Sequence, residues 1–242
     1  MLALMPSRRV LALVGSWEIT WYGALYVASF GLAWWLLPRL TRWRGVEITP
    51  DAQLAIVAWG AVGAVIGGRL GYVLLYEPAY FITHPLQAFA LWDGGMASHG
   101  GFLGAAVVLY LAARRFSLDP LALGDAVVVP AALGLMLGRL GNWINQELFV
   151  STAAHAAVIG KDLLIAGMCY AHLRFTARRE KGQTLALFLI LYSLLRWLAE
   201  YVREPLYPSM LGMTYGQVLT WPILAAGVSL MVWLRQSARR NV

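Results

Sequence analysis

Seven stretches of about 20 residues are almost free of charge, and this spacing constrains the chain more than any other feature of its sequence. They are Ile19–Pro38, Ala52–Tyr76, Gly95–Ala113, Pro120–Gly138, His155–Leu173, Gly182–Tyr201 and Tyr215–Leu234. A helix needs about 20 mostly apolar residues to cross a bilayer. The composition agrees, with 60% hydrophobic residues and 13% charged among 242. A soluble domain carries roughly 25% charge, and a disordered chain still more. The expected fold is therefore all-α, a polytopic membrane protein with seven transmembrane helices. Residues 1–242 are expected to form a single transmembrane domain with a short interfacial N-terminal segment, 1–16. No segment suits a sheet, and the apolar run Val10–Gly15 is too short to span, so an interfacial helix is expected there.

Basic residues orient the spans, because cytoplasmic loops are enriched in Lys and Arg. Arg39, Arg42 and Arg44 follow the first span, and Arg114 and Arg115 the third. Arg174, Arg178, Arg179 and Lys181 follow the fifth, while Arg235, Arg239 and Arg240 end the chain. With alternating helices these 12 fall on one side, which puts the N-terminus outside and the C-terminus in the cytoplasm. The net charge of +7 thus marks a membrane topology and not a nucleic-acid partner. A single cysteine, Cys169, excludes a disulfide framework and any paired-cysteine metal site.

Arg8 and Arg9 sit on the wrong side for this pattern, and beyond them five cations are left over: Arg69, Arg139, Lys161, Arg196 and Arg203. All fall toward the outer half of the predicted bundle. A charge at the centre of a spanning helix costs about 2.5–3.5 kcal/mol on insertion scales, so each is a candidate for function. Five on one side point to a shared anion, and the anion of that environment is a phospholipid phosphate. Arginine's planar fork binds phosphate in a bidentate way that lysine cannot match. Arg69 and Arg139 share the pattern Gly-Arg-Leu-Gly, at Gly68–Gly71 and Gly138–Gly141. Those glycines suit close helix packing or close approach of a headgroup equally well. In the sixth span Tyr192, Arg196, Glu200 and Arg203 stand on one helix face. That stripe reads either as a self-neutralising ladder or as a site where Glu200 fixes one arginine and leaves the other for a ligand. His99 stands among Gly94, Gly95, Gly100 and Gly101, a setting that suggests a bent helix entry and leaves room for the ring to accept a proton. His84, His155 and His172 have no such surroundings. No cluster offers metal-ligand spacing.

Together these motifs resemble the bacterial prolipoprotein diacylglyceryl transferases. The likeness runs from Trp21-Tyr22-Gly23 through Gly68–Tyr72 and Trp92–Gly101 to Gly138–Leu148. It resumes at Arg196–Pro205 and at Gly216–Pro222, six blocks in the same order along nearly the whole chain. The resemblance implies seven spans with the N-terminus outside, in the bacterial cytoplasmic (inner) membrane. It implies a transferase of lipoprotein biosynthesis that moves the diacylglyceryl group of phosphatidylglycerol onto the lipobox cysteine thiol beside a preprolipoprotein signal peptide. Partners would be phosphatidylglycerol, that signal peptide and the surrounding membrane lipids. No metal and no organic cofactor is expected. By resemblance His99, Arg139 and Arg196 are the catalytic candidates, with His99 as base and the arginines stabilising the phosphate leaving group. Tyr22, Arg69, Asn142, Glu147, Tyr192, Glu200 and Arg203 are the substrate-binding candidates.

The sequence departs from the family between the fourth and fifth spans. A sizeable outer head segment is reduced to about Phe149–Ala154, and the family's Tyr-Glu pair is replaced by Gly160-Lys161. Leu206 follows Pro205 where the family has an acidic residue. The donor site is expected to be kept and the acceptor apparatus to be reduced. A second expectation follows: a lipid-binding paralogue that acts on a different acceptor, or a non-enzymatic subunit of a larger membrane complex.

Overall fold

The computed structural model describes residues 10–14, 17–91, 94–149, 151–176, 181–203 and 212–240. The expectations placed on residues 1–9, Trp92, Asp93, Arg178, Arg179, Pro205 and Leu206 lie outside them. The protein is all-α apart from one small ribbon. The helices are α1 (Trp21–Trp43), α2 (Pro50–Leu75), α3 (Pro78–Thr83), α4 (Ser98–Arg115), α5 (Pro120–Asn145), α6 (Thr152–Phe175), α7 (Gln183–Ala199) and α8 (Tyr215–Arg240). Each of the seven uncharged stretches falls on one of the long helices. Five of them, α2, α5, α6, α7 and α8, are long and apolar enough to cross a membrane on length and composition alone. Two fall short for visible reasons. In α1 the tryptophans and tyrosines lower the hydropathy, and α4 has only 18 residues, ending in Arg114 and Arg115.

Local chemistry sets the helix starts. Thr20, Thr49 and Ser151 each accept the backbone N–H three positions on, at 3.1–3.2 Å. Asp119 accepts from Leu121 and Ala122 at 3.0 and 3.1 Å, next to Pro120 in the first turn of α5. These residues satisfy orphan N–H groups that no helical carbonyl can reach, and proline has none to lose there. Thr214 and Gln217 cap α8 reciprocally, each side chain accepting from the other's backbone N–H at 3.2 and 3.0 Å.

The N-terminal expectation is corrected. Val10–Val14 is not a helix: it is strand β1, paired antiparallel with β2 (Trp17–Thr20), and β2 runs directly into α1. Its β-branched and apolar residues suit a strand, and five residues are too few for a stable helix.

Contacts divide the chain into two compact units. One comprises residues 1–45 and 124–242, the other Val46–Leu123. In the second unit α2 packs along α4 through glycines. A Cβ on Gly63 would sit 2.7 Å from the Gly104 carbonyl oxygen, and one on Gly71 would sit 2.8 Å from the Gly100 Cα. Gly67 also meets Gly100 and Gly104 backbone to backbone. Helices in lipid associate through such small-residue seams because no hydrophobic drive separates them from lipid tails. The open choice between packing and ligand approach is thereby decided for Gly71, which is a packing residue, as are its seam neighbours Gly67 and Gly100. In the first unit α7 packs on α6 and α8.

The first unit also holds a buried polar knot that the sequence analysis did not anticipate. Arg44, at the end of α1, is 1% exposed and donates from Nε to Asp125 at 2.7 Å. Its Nη2 donates to the hydroxyls of Thr176 and Thr184 at 2.8 and 3.0 Å. Asp125 also accepts the backbone N–H groups of Gly182 and Leu185 at 2.9 and 2.8 Å. The ends of α1, α5, α6 and α7 are tied at this point.

Candidate functional site

The first unit gathers most of the predicted polar residues. Arg139 comes from the last turns of α5 and donates from Nη1 to Asn142 Oδ1 at 3.2 Å. Asn142, 3% exposed, donates in turn to Glu147 at 3.1 Å, and Asn145 donates to the same oxygen at 3.3 Å. This chain fixes the guanidinium through two amides and one carboxylate. Gln146 and Leu148 take positive φ of 55° and 74°, so the backbone doubles back after α5 and returns Glu147 to Asn142. Tyr22, in the first turn of α1, lies against Gly141: a Cβ there would stand 2.6 Å from the tyrosine ring. The two Gly-Arg-Leu-Gly copies therefore use their glycines differently, the first for a helix seam and this one to seat Tyr22.

The polar stripe of the sixth span resolves differently from either expected reading. Glu200 pairs with Arg196 one turn back and with Arg203 at 3.5 Å, so it holds both arginines. Arg196 and Glu200 are buried, and Arg203 is about a quarter exposed. The helix ends at Ala199, and Glu200–Val202 form a single 3₁₀ turn. Arg203 then pairs backbone to backbone with Phe149. Gly216, at the start of α8, leaves the space that Arg196 occupies: a Cβ there would lie 2.9 Å from Nη2. Tyr192 is buried on the same face of α7.

A small cavity opens among Arg139, Lys161, Arg196 and Arg203, closed by Phe149, Val158 and Ala199. Three of these cations were expected in the site. Lys161 was seen as a non-topogenic cation but was not placed there, and its neighbour Asp162 was not considered. Asp162 is 1% exposed, pairs with Lys161, and lies 3.9 Å from Arg139 Nε. Phe149 faces the Arg139 guanidinium at 5.8 Å. His155 is buried beside this corner, stacked on Trp143 and edge-on to Phe149, which makes it a packing residue in an aromatic group.

His99 and Arg69 belong to the second unit. His99 is the second residue of α4, half-buried, just after a turn in which Gly94 and Gly95 take φ of 79° and 75°. The Ala97 N–H donates to the Gly68 carbonyl at 2.9 Å and pins that turn to α2. The expected bent entry is thus present at Gly94 and Gly95, whereas Gly100 and Gly101 lie inside the helix. Arg69 is committed to the loop before α4. Its guanidinium donates to the carbonyls of Ala88 at 2.9 Å, Gln87 at 2.6 Å, Gly95 at 3.1 Å and Gly94. Four of its five donors are used on backbone, so its geometry is that of a loop clasp and not of an open phosphate fork. His84 and His172 do local work, His84 stacking on Tyr80 and His172 bonding Thr184 at 2.9 Å. Among the described residues no group of His, Cys, Asp or Glu could hold a metal ion.

A cavity bordered by four cations in an apolar helix bundle suits a phosphate ester at a water-poor interface. Comparison with known proteins leads the same way. The family profile described as "Prolipoprotein diacylglyceryl transferase" matches residues 9–233. Among the relatives, the phosphatidylglycerol–prolipoprotein diacylglyceryl transferase of Acidiphilium cryptum is 33% identical, over 96% of this chain and 94% of its own length. The enzyme of that name from Methylocella silvestris is 36% identical over 93% and 92%. That of Verminephrobacter eiseniae is 37% identical over 99% and 97%. With a match of that extent added to the buried arginine site, the chain belongs to the prolipoprotein diacylglyceryl transferase family.

Proposed function

We propose that this protein transfers the diacylglyceryl group of phosphatidylglycerol to the lipobox cysteine thiol of preprolipoproteins in the bacterial inner membrane. The observation that carries the reading is the cavity bordered by Arg139, Arg196 and Arg203, with Arg139 held by the Asn142–Glu147 chain. Phosphatidylglycerol places one phosphodiester there. The cysteine thiol loses its proton, for which the family resemblance alone names His99 as base, and its sulfur attacks the diacylglyceryl carbon bonded to the phosphate oxygen. The S–C bond forms as the C–O bond breaks, and the bonding pair leaves on glycerol phosphate. Arg139 and Arg196 stabilise the charge that develops on the departing phosphate. Asn142 and Glu147 keep Arg139 in its rotamer, Glu200 does the same for Arg196 and Arg203, and Tyr22 and Tyr192 stand behind the lining, against Gly141 and near Lys161. Arg69 acts at one remove, by holding the loop before His99.

In this reading the chain is one transmembrane domain of seven spans, α1 and α4 being the two whose hydropathy is lowest. Its N-terminus lies outside and its C-terminus in the cytoplasm, as the 12 topogenic cations require. The test is complementation of a strain depleted of its own transferase. Rescue, with loss of rescue in Arg139→Ala, supports the reading. The connection between α5 and α6 is only residues 146–151, which favours a second reading in which the acceptor differs. Failure to rescue, with phosphatidylglycerol still bound to the purified protein, would select that paralogue or subunit role.

A further inference from the structure

Lys161 and Asp162 stand where the fold brings α6 against α5 and α7, and neither has a part in the reading above. Among the described residues, the cavity is lined by four cations and no carboxylate. The carboxylates stand behind them. Glu200 holds Arg196 and Arg203; Asp162 holds Lys161 through one oxygen and faces Arg139 through the other at 3.9 Å. Two buried carboxylates therefore each face two cations, and Glu147 stands behind Asn142 as a third, so the four cations still outnumber the carboxylates around them.

We propose that Lys161 is a fourth phosphate ligand of this site and that Asp162 is its positioning residue, shared with Arg139. The inference rests on the transferase reading and extends it to the stage of the reaction at which the surplus charge acts. A phosphatidylglycerol phosphodiester carries one negative charge, whereas the glycerol phosphate that leaves is a monoester with nearly two. A cation added to the lining attracts the departing group more than the singly charged substrate, so it stabilises the transition state more than the ground state. The Arg139–Asp162 contact fits this role. At 3.9 Å it is an ion pair too long for a hydrogen bond, and Arg139 Nε has no hydrogen-bond partner among the described residues. Asp162 therefore positions that guanidinium by charge and not by a fixed hydrogen bond. Lys161 is 9% exposed, and the same carboxylate keeps its ammonium at the cavity wall, close to the Tyr192 ring at 5.9 Å.

The test is steady-state transfer by the purified full chain in detergent, with phosphatidylglycerol as donor and a lipobox peptide as acceptor. It is run beside calorimetric binding of glycerol 1-phosphate. Lys161→Met should lower kcat about 100-fold, in the range of a lost transition-state donor, and leave KM for phosphatidylglycerol within about threefold. Glycerol 1-phosphate should bind about tenfold more weakly. Lys161→Arg should restore most of both, and Asp162→Asn should weaken glycerol phosphate in the same direction. Should the loss of one partner prevent folding, Lys161→Met/Asp162→Asn removes both charges together and must show the same loss of phosphate affinity. Lys161→Met or the double variant, folded, with kcat and glycerol phosphate affinity both within about threefold of the parent would overturn the proposal. If the parent chain binds glycerol phosphate in a Lys161-dependent way yet transfers nothing to the peptide, the clamp stands and the transferase reading fails.

Discussion

Asp125→Ala tests whether the buried knot at the end of α1 holds the first unit together. The substitution removes the partner of a guanidinium that is 1% exposed, and it strands the N–H groups of Gly182 and Leu185. Arg44 keeps its hydroxyl and carbonyl bonds to Thr176 and Thr184, at 2.8–3.4 Å. Breaking a buried pair from one side costs about 3–5 kcal/mol, because a charge is left without its counter-ion. Each buried N–H without an acceptor costs about 1–3 kcal/mol more, although neighbouring losses do not add. The expected loss is therefore at the upper end of that 3–5 kcal/mol range. Asp125→Asn keeps an oxygen for one or two of the donors but no charge, and it should lie between parent and Asp125→Ala. In Arg44→Met/Asp125→Leu the isolated charge is gone, so the double variant should be more stable than Asp125→Ala alone. Unfolding of the purified protein in mixed micelles, followed by circular dichroism, measures all three. A loss below about 1 kcal/mol for Asp125→Ala would refute the argument, as would additivity of the two single changes. A C-terminal topology reporter should not move in Arg44→Met, since 11 of the 12 topogenic cations remain.

Other outcomes follow from the same geometry. Arg139→Lys should lower transfer about 10²–10³-fold with protein levels unchanged, measured with labelled phosphatidylglycerol, because an ammonium cannot bond Asn142 and a phosphate in one plane. His99→Ala should abolish transfer in the same assay and leave membrane insertion intact, because His99 has no part in the topogenic pattern. Gly67→Val should destabilise the second unit by about 1–3 kcal/mol in micelle unfolding, since its side chain would meet the backbone of Gly100 and Gly104. Arg69→Ala should increase proteolytic cutting of the loop before α4 while glycerol phosphate affinity stays within about twofold, as four carbonyls lose their common donor.

The positions of the long helices were legible because charge avoidance is a one-dimensional signal and lipid enforces it locally. Arg139 was legible as a cation inside an apolar span, whereas Asn142 and Glu147 were named by the family resemblance, and their tie to Arg139 forms within one helix end and the turn after it. What stayed hidden depends on distant pairing. Arg44 looked like one more cytoplasmic cation, and its partner Asp125 is 81 positions away. Lys161 was legible as one of five cations left over by the topology, but only the packing of α6 against α7 shows that it lines a cavity and that Asp162 stands behind it. Arg69 matched the phosphate-fork pattern, but the carbonyls that take its donors belong to an irregular loop with no sequence signature. The ribbon β1–β2 was missed because five apolar residues suit a strand and a buried helical turn equally well.

The glycine seam between α2 and α4 also limits how a lipid can travel. From Gly63 to Gly71 the two backbones are in contact over eight residues, about 12 Å of helix. The contacts at Gly63, Gly67 and Gly71 are mainly backbone, joined by the Val108 and Ala97 side chains, so a rotamer change alone opens no slot for an acyl chain there. Parting the two helices would forfeit the close backbone packing along the whole seam, which is what holds helices together in lipid. That pair of helices is a closed fence over this depth. A two-tailed donor and a signal helix must both slip in from the bilayer through some other face of the protein.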